Sequence, residues 1–167
     1  MKKILFLDFD GVLNPKWWER KKPLDEYGVS FDPKTVACLE KIIAETGANI
    51  VISSSWKNMG LSVVQDMWRE RGLPGKVIDI TPDYLGESLL CSELNNDDVL
   101  YERGCEIKGW LSLHKDEISH YAILDDMDDI LPEQQQRFVQ TDPDLGLTEA
   151  DAKQIIFMLN HQKAESH

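Results

Sequence analysis

Ile4-Leu5-Phe6-Leu7-Asp8-Phe9-Asp10-Gly11 is the stretch on which the fold of this chain turns. Four consecutive apolar residues make a strand apolar on both faces, as in the middle of a parallel sheet, and the run stops abruptly at two acids and a glycine. Four more runs of strand length follow: Ile50-Val51-Ile52, Val77-Ile78-Asp79-Ile80, Tyr121-Ala122-Ile123-Leu124 and Arg137-Phe138-Val139-Gln140. Between them the apolar residues change to helical spacing. Asp32-Pro33 supplies an N-cap and a first-turn proline for a helix carrying Val36, Leu39, Ile42 and Ile43, which Gly47 ends. A second helix is predicted over Leu61 to Arg71, a third over Glu106 to Lys115, and a last one after Thr148, burying Ala152, Ile155, Ile156 and Leu159. Strands alternating with helices predict right-handed crossovers and a doubly wound α/β domain on a five-stranded parallel sheet. At 167 residues the chain is expected to form one domain over residues 1–167.

In such sheets ligands sit beyond the carboxyl ends of the strands, where the winding reverses. Strand one ends in Asp8 and Asp10, strand two in Ser53-Ser54-Ser55, and strand four in Asp125-Asp126-Met127-Asp128-Asp129. If strands one and four are neighbours, several carboxylates converge and need a cation to stay ionised together. A hard, all-oxygen set of that kind suits Mg²⁺. Solvated turn acids are common after strands, a description that fits Asp128 and Asp129. It fits Asp8 and Asp10 poorly, because a carboxylate ending an apolar central strand would be buried without a partner. A calcium loop starting at Asp8 is excluded: its sixth position is Leu13 where glycine is required, and a strand precedes it instead of a helix.

The charge balance is acidic: 18 Lys and Arg against 30 Asp and Glu give a net −12, which disfavours sequence-blind binding to nucleic acid or anionic membranes. One stretch breaks that pattern. Lys16-Trp17-Trp18-Glu19-Arg20-Lys21-Lys22 places four cations and two indoles directly after the first acidic motif, a combination that can stack on bases and grip phosphates, although packed tryptophan and solvated lysine would read the same way. Cys38, Cys91 and Cys105 form no disulfide or zinc pattern, and His114, His120, His161 and His167 show no ligand spacing. Trp56, Trp68 and Trp110 are expected in the core. The apolar start ends at Asp8, too early for a secretory signal, and no run reaches the ~18 residues of a transmembrane helix, so a cytoplasmic address is expected.

Leu7-Asp8-Phe9-Asp10-Gly11-Val12-Leu13-Asn14 resembles the first motif of the haloacid dehalogenase (HAD) superfamily of phosphohydrolases. Ile50-Val51-Ile52-Ser53-Ser54-Ser55-Trp56-Lys57, Arg103-Gly104-Cys105-Glu106-Ile107 with Trp110-Leu111, Leu124-Asp125-Asp126, and Thr141-Asp142-Pro143 with Gly146-Leu147-Thr148 resemble, in order, the HAD domain of Swiss Army Knife RNA repair proteins, over about residues 3 to 160. The resemblance implies a HAD-like Rossmannoid sheet with a minimal cap and hydrolysis of phosphate monoesters through an aspartyl phosphate. Asp8 is then the nucleophile and Asp10 the general acid and base. Mg²⁺ is expected on Asp8, the Asp10 carbonyl and Asp125, with Asp126 assisting. Ser54, or alternatively Ser53, is expected to donate to phosphate. Arg103 is the expected steadying cation, with Lys108 the alternative, and Lys57 and Arg20 are further expected phosphate contacts. Expected partners are a phosphorylated small molecule or a nucleic-acid end, with no membrane and no obligate protein partner. A small-metabolite phosphatase and a non-catalytic phosphate or metal binder are the rival expectations. A phospho-receiver domain is disfavoured because its acceptor acid ends the third strand.

Overall fold

The computed structural model describes residues 1–83 and 101–161; Cys91 and His167 lie outside them. β1 (Lys2–Leu7) is the central strand, and Ile4, Leu5, Phe6 and Leu7 are fully buried. After it come a single helical turn, α1 (Lys16–Glu19), and a small antiparallel hairpin of β2 (Leu24–Asp25) and β3 (Gly28–Val29). α2 (Pro33–Thr46) starts at its expected cap, where the Asp32 carboxylate accepts the Lys34 N–H at 3.0 Å. Then follow β4 (Asn49–Ile52), a 3₁₀ turn over Ser55–Met59, α3 (Leu61–Glu70) and β5 (Val77–Ile80). α4 (Glu102–His114), β6 (Ile118–Asp125), a 3₁₀ turn over Pro132–Arg137, β7 (Phe138–Gln140) and α5 (Glu149–Asn160) complete the described chain.

The sheet is parallel throughout, in the order β5-β4-β1-β6-β7. The chain winds outward from β1 through β4 to β5, then returns to the other side of β1 for β6 and β7. The reversal therefore lies at β1, which pairs with β4 and β6 at once. Alternate residues of β1 feed two cores. Leu5 and Leu7 pack with Leu39 and Ile42 of α2, Met67 of α3 and Ile155 of α5, whereas Ile4 and Phe6 pack with Ile107 and Trp110 of α4.

All five predicted strands are present, and Thr148 caps α5 through Asp151 as expected. Two features differ from the sequence expectation. α4 begins at Glu102 and not at Glu106, because Gly104, Cys105, Glu106 and Ile107 are buried in succession and leave no amphipathic stripe to read. The β2–β3 hairpin was not anticipated; two-residue strands carry too little periodicity to register. Among the described residues no helix is long and apolar enough to cross a membrane.

Candidate active site

Register brings the functional side chains together. Leu7 pairs with Ile52 on one side and with Leu124 on the other, so the next residue of each strand, Asp8, Ser53 and Asp125, stands at the same height on the α4 face. The main chain stitches this row: the Asp8 N–H donates to the Leu124 carbonyl at 3.0 Å, and the Ser53 N–H to the Leu7 carbonyl at 2.9 Å. Asp8 and Asp125 are buried, and with Asp126 they bring carboxylate oxygens within 4.8 Å of one another. Gly11 makes this approach possible. Its φ is +75°, and a Cβ there would sit 2.4 Å from Asp126 Oδ2.

Arg103, in the first turn of α4, reaches across the sheet end. Its Nη1 lies 3.3 Å from Asp125 Oδ2 and 3.6 Å from Asp8 Oδ1, and it also donates to the Ser53 carbonyl. The helix is seated for this by close contact: a Cβ on Gly104 would lie 2.5 Å from the Leu131 nitrogen, and Gln134 donates to the Gly104 carbonyl at 2.9 Å. Asp129 is not the solvated acid expected from its loop. Its Oδ2 accepts the Arg103 N–H at 3.2 Å, so it caps α4 from a distant segment.

The other cations are placed differently. The Lys108 ammonium pairs with Glu133 at 3.2 Å and not with Asp8 or Asp125. Lys57, expected to face phosphate, is buried, and its ammonium lies 2.9 Å from Glu106, 3.2 Å from Asp83 and 3.1 Å from the Pro82 carbonyl. Burial of an ammonium requires this many acceptors, which correspondingly occupy its donors. Of the serines, Ser54 Oγ caps the 3₁₀ turn by accepting the Trp56 N–H at 3.3 Å. The Ser53 hydroxyl, beside Asp8, is buried with no hydrogen-bond partner among the described residues.

Asp10, expected to be buried at the strand end like Asp8, is instead exposed, because the chain turns outward at Gly11, yet it is tethered. Asn14 Nδ2 donates to its Oδ1 at 2.9 Å, and the Trp56 indole N–H lies 3.2 Å from Oδ1 and 3.3 Å from Oδ2. Trp56 is thus half-buried rather than a simple core residue. Pattern reading could not show this, because the contact spans 46 residues. In the flap of residues 16–22, Trp18 is anchored by its indole N–H to the Ser30 carbonyl at 2.8 Å. Lys21 covers Trp17 at 4.8 Å, while Arg20, Lys21 and Lys22 are exposed. Glu19 faces the acidic site: burial and then the Asp10 and Asp126 charges push its carboxyl above the usual range.

The same logic governs the buried acids. Burial drives Asp8 up to about 6, against the opposing pull of Arg103. Burial and then the neighbouring Asp8 charge push Asp125 to about 9. Burial disfavours the Arg103 charge, but Asp125 and Asp8 outweigh it and leave the guanidinium more basic than usual. A site with this much shared negative charge holds protons or a cation. Its donors, from Asp8, Asp125 and Asp126, are all hard oxygens gathered within 4.8 Å of one another, a donor chemistry that suits a hard divalent ion such as Mg²⁺.

A family model described as the HAD domain in Swiss Army Knife RNA repair proteins matches residues 4–152. The chain belongs to that family. No curated protein matches it. As a HAD domain it is supported as a hydrolase of phosphorylated substrates in general, and its five-stranded parallel sheet is the expected Rossmannoid core.

Proposed function

We propose that this HAD domain is a Mg²⁺-dependent phosphomonoester hydrolase that works through an aspartyl phosphate on Asp8, with phosphorylated nucleic-acid ends or nucleotides as its substrates. The observation that carries this reading is the convergence of Asp8, Arg103 and Asp125 at the winding reversal, with the tethered Asp10 two residues from Asp8. An Asp8 oxygen attacks phosphorus as the ester P–O bond breaks, and Asp10 gives its proton to the leaving oxygen. Asp10 then takes a proton from water, whose oxygen attacks phosphorus and releases the Asp8 carboxylate with inorganic phosphate.

Arg103 steadies the phosphoryl oxygens, and a serine hydroxyl donates to one of them; the unpartnered Ser53 hydroxyl supports that residue over Ser54. Bound Mg²⁺, held by Asp8, the Asp10 carbonyl and Asp125 with Asp126 assisting, supplies the charge that offsets repulsion between carboxylate and phosphate. The exposed cations of residues 20–22 support a polyanionic substrate such as an RNA end. The reading includes a single domain and a cytoplasmic setting, in keeping with cysteines whose spacing in the sequence forms no disulfide or zinc pattern.

The test is phosphate release from nucleotides, from 2′-, 3′- and 5′-phosphorylated oligonucleotides and from sugar phosphates, with Mg²⁺ or with EDTA. Turnover of nucleic-acid ends that disappears in EDTA and in Asp8→Asn is expected. Preference for sugar phosphates makes it a metabolite phosphatase, and no turnover on any substrate with Mg²⁺ makes it a binder.

A further inference from the structure

We propose that Trp56 is a positioning residue for the acid–base carboxylate: its indole N–H holds Asp10, and the β2–β3 hairpin together with Arg71 holds Trp56. The inference deepens the proposed mechanism and rests on the Asp10 role assigned there. An exposed aspartate left to itself samples several rotamers, whereas proton transfer requires one oxygen held within hydrogen-bond reach of the leaving group. Here the indole N–H stands almost equidistant from the two oxygens, at 3.2 and 3.3 Å, and Asn14 holds Oδ1 at 2.9 Å. As Asp10 gives up its proton, negative charge grows on the group that accepts these N–H bonds. They strengthen in the transition state, which is the kind of contact that raises a rate.

The indole is itself firmly seated. Its ring meets Phe9 edge-on at 5.5 Å and Phe31 at 5.7 Å, and the Arg71 guanidinium lies 5.7 Å from it. Two hydrogen bonds of 2.8 Å from Arg71 to Asp25 tie that guanidinium to the hairpin, and Gly28 of the same hairpin leaves room for the indole edge, 3.8 Å from where a Cβ would stand. At the other end, the Trp56 main-chain N–H is held by Ser54. The small hairpin thus acts on the chemistry indirectly, by fixing the ring that fixes Asp10.

The measurement is kcat/KM for a series running from nitrophenyl phosphates through phenyl phosphate to an alkyl phosphate. It reports only steps up to phosphorylation of the enzyme, and poor leaving groups need the proton most. Trp56→Phe removes the donor and keeps an aromatic ring; benzothienylalanine placed at position 56 keeps the indole shape without the N–H, and decides the matter if Trp56→Phe fails to fold. Both should lower kcat/KM for the alkyl ester about ten- to hundredfold, and the nitrophenyl ester at least tenfold less. Added to Asp10→Asn, neither should cost anything further. Equal losses on every substrate, or none, overturn the proposal while leaving the mechanism standing. If Asp10→Asn itself shows no dependence on the leaving group, the assigned role of Asp10 fails instead.

Discussion

Replacing Gly11 by alanine separates two effects that the turn combines. The first is backbone strain: at φ +75° an L-residue costs about 1–2 kcal/mol, which for a chain of this size lowers Tm by roughly 2–8 °C. The second is local. The new Cβ would lie 2.4 Å from Asp126 Oδ2, 2.7 Å from its Cγ and 2.9 Å from its Cβ. Rotating the carboxylate cannot relieve a clash that includes the Asp126 Cβ, so the turn or the Asp125-Asp126 segment must move and Asp126 leaves the cluster. Displacing such a group should raise the Mg²⁺ concentration for half-maximal phosphatase activity about 10–100-fold. Melting curves and Mg²⁺ titrations of activity read the two effects independently. Asp126→Ala should reproduce the Mg²⁺ effect without the strain, and Gly11→Ala added to it should lower Tm but leave the Mg²⁺ requirement unchanged. A Gly11→Ala protein with lowered Tm and an unaltered Mg²⁺ requirement would refute the placement of Asp126 at the metal.

Stability should depend on pH through the buried acids. Because Asp8 and Asp125 titrate near 6 and 9 in the fold but near the ordinary carboxylate value when unfolded, the native state binds the extra protons. Metal-free protein should therefore lose stability as pH rises toward 9, by up to about 1.4 kcal/mol per pH unit for each extra proton; the slope should flatten in Asp125→Asn, and stabilisation by Mg²⁺ should grow over the same interval. A melting series with the same slope in Asp125→Asn would count against the buried proton. Lys57→Met should cost about 3–5 kcal/mol of stability, with Lys57→Met/Glu106→Gln recovering much of it, because the ammonium is bound to buried Glu106; a change confined to KM in phosphatase assays would return Lys57 to the phosphate. Replacing Arg20, Lys21 and Lys22 by alanine should raise KM for a phosphorylated oligonucleotide and flatten its salt dependence while sparing a small phosphoester. Equal effects on both substrates would make the flap a cover rather than a strand contact.

The sheet was legible because its signals are local. Apolar runs of strand length, the Asp32-Pro33 start of α2 and the Thr148 cap each depend on neighbours in sequence, and each stands where it was expected. Asp8 and Asp125 were legible for a related reason: an acid ending an apolar central strand has few structural uses. What escaped notice depends on contacts between distant segments. Asp129 looks like a turn acid until α4 is docked on its carboxylate, and Trp56 like a core indole until β1 and β4 place it over Asp10. Lys57 shows the converse, a cation whose position beside the serine run was readable while its claim by Glu106 and Asp83 was not.

The charges around the site divide the labour between chemistry and encounter. Asp8, Asp10, Asp125, Asp126 and Glu19 gather near the strand ends, and among the described residues Arg103 is the cation found in contact with Asp8 and Asp125. Two like charges 4 Å apart repel by about 4 kcal/mol at an effective dielectric of 20. A phosphate brought into this cluster meets several such terms, which Arg103 cannot cancel alone, and Lys57 is already engaged. Under the proposed function a proton on Asp125 or a divalent cation must therefore accompany the substrate, and only the cation leaves Asp125 ionised at neutral pH. The exposed cations at residues 20–22 lie on the flap and make no contact of this kind with the acids, so their field acts before the phosphate arrives. In a chain of net charge −12 that field is local and screened within about 10 Å at 0.1 M salt, so under the proposed function it would guide an end already close by and leave the reacting phosphate to Arg103 and the metal.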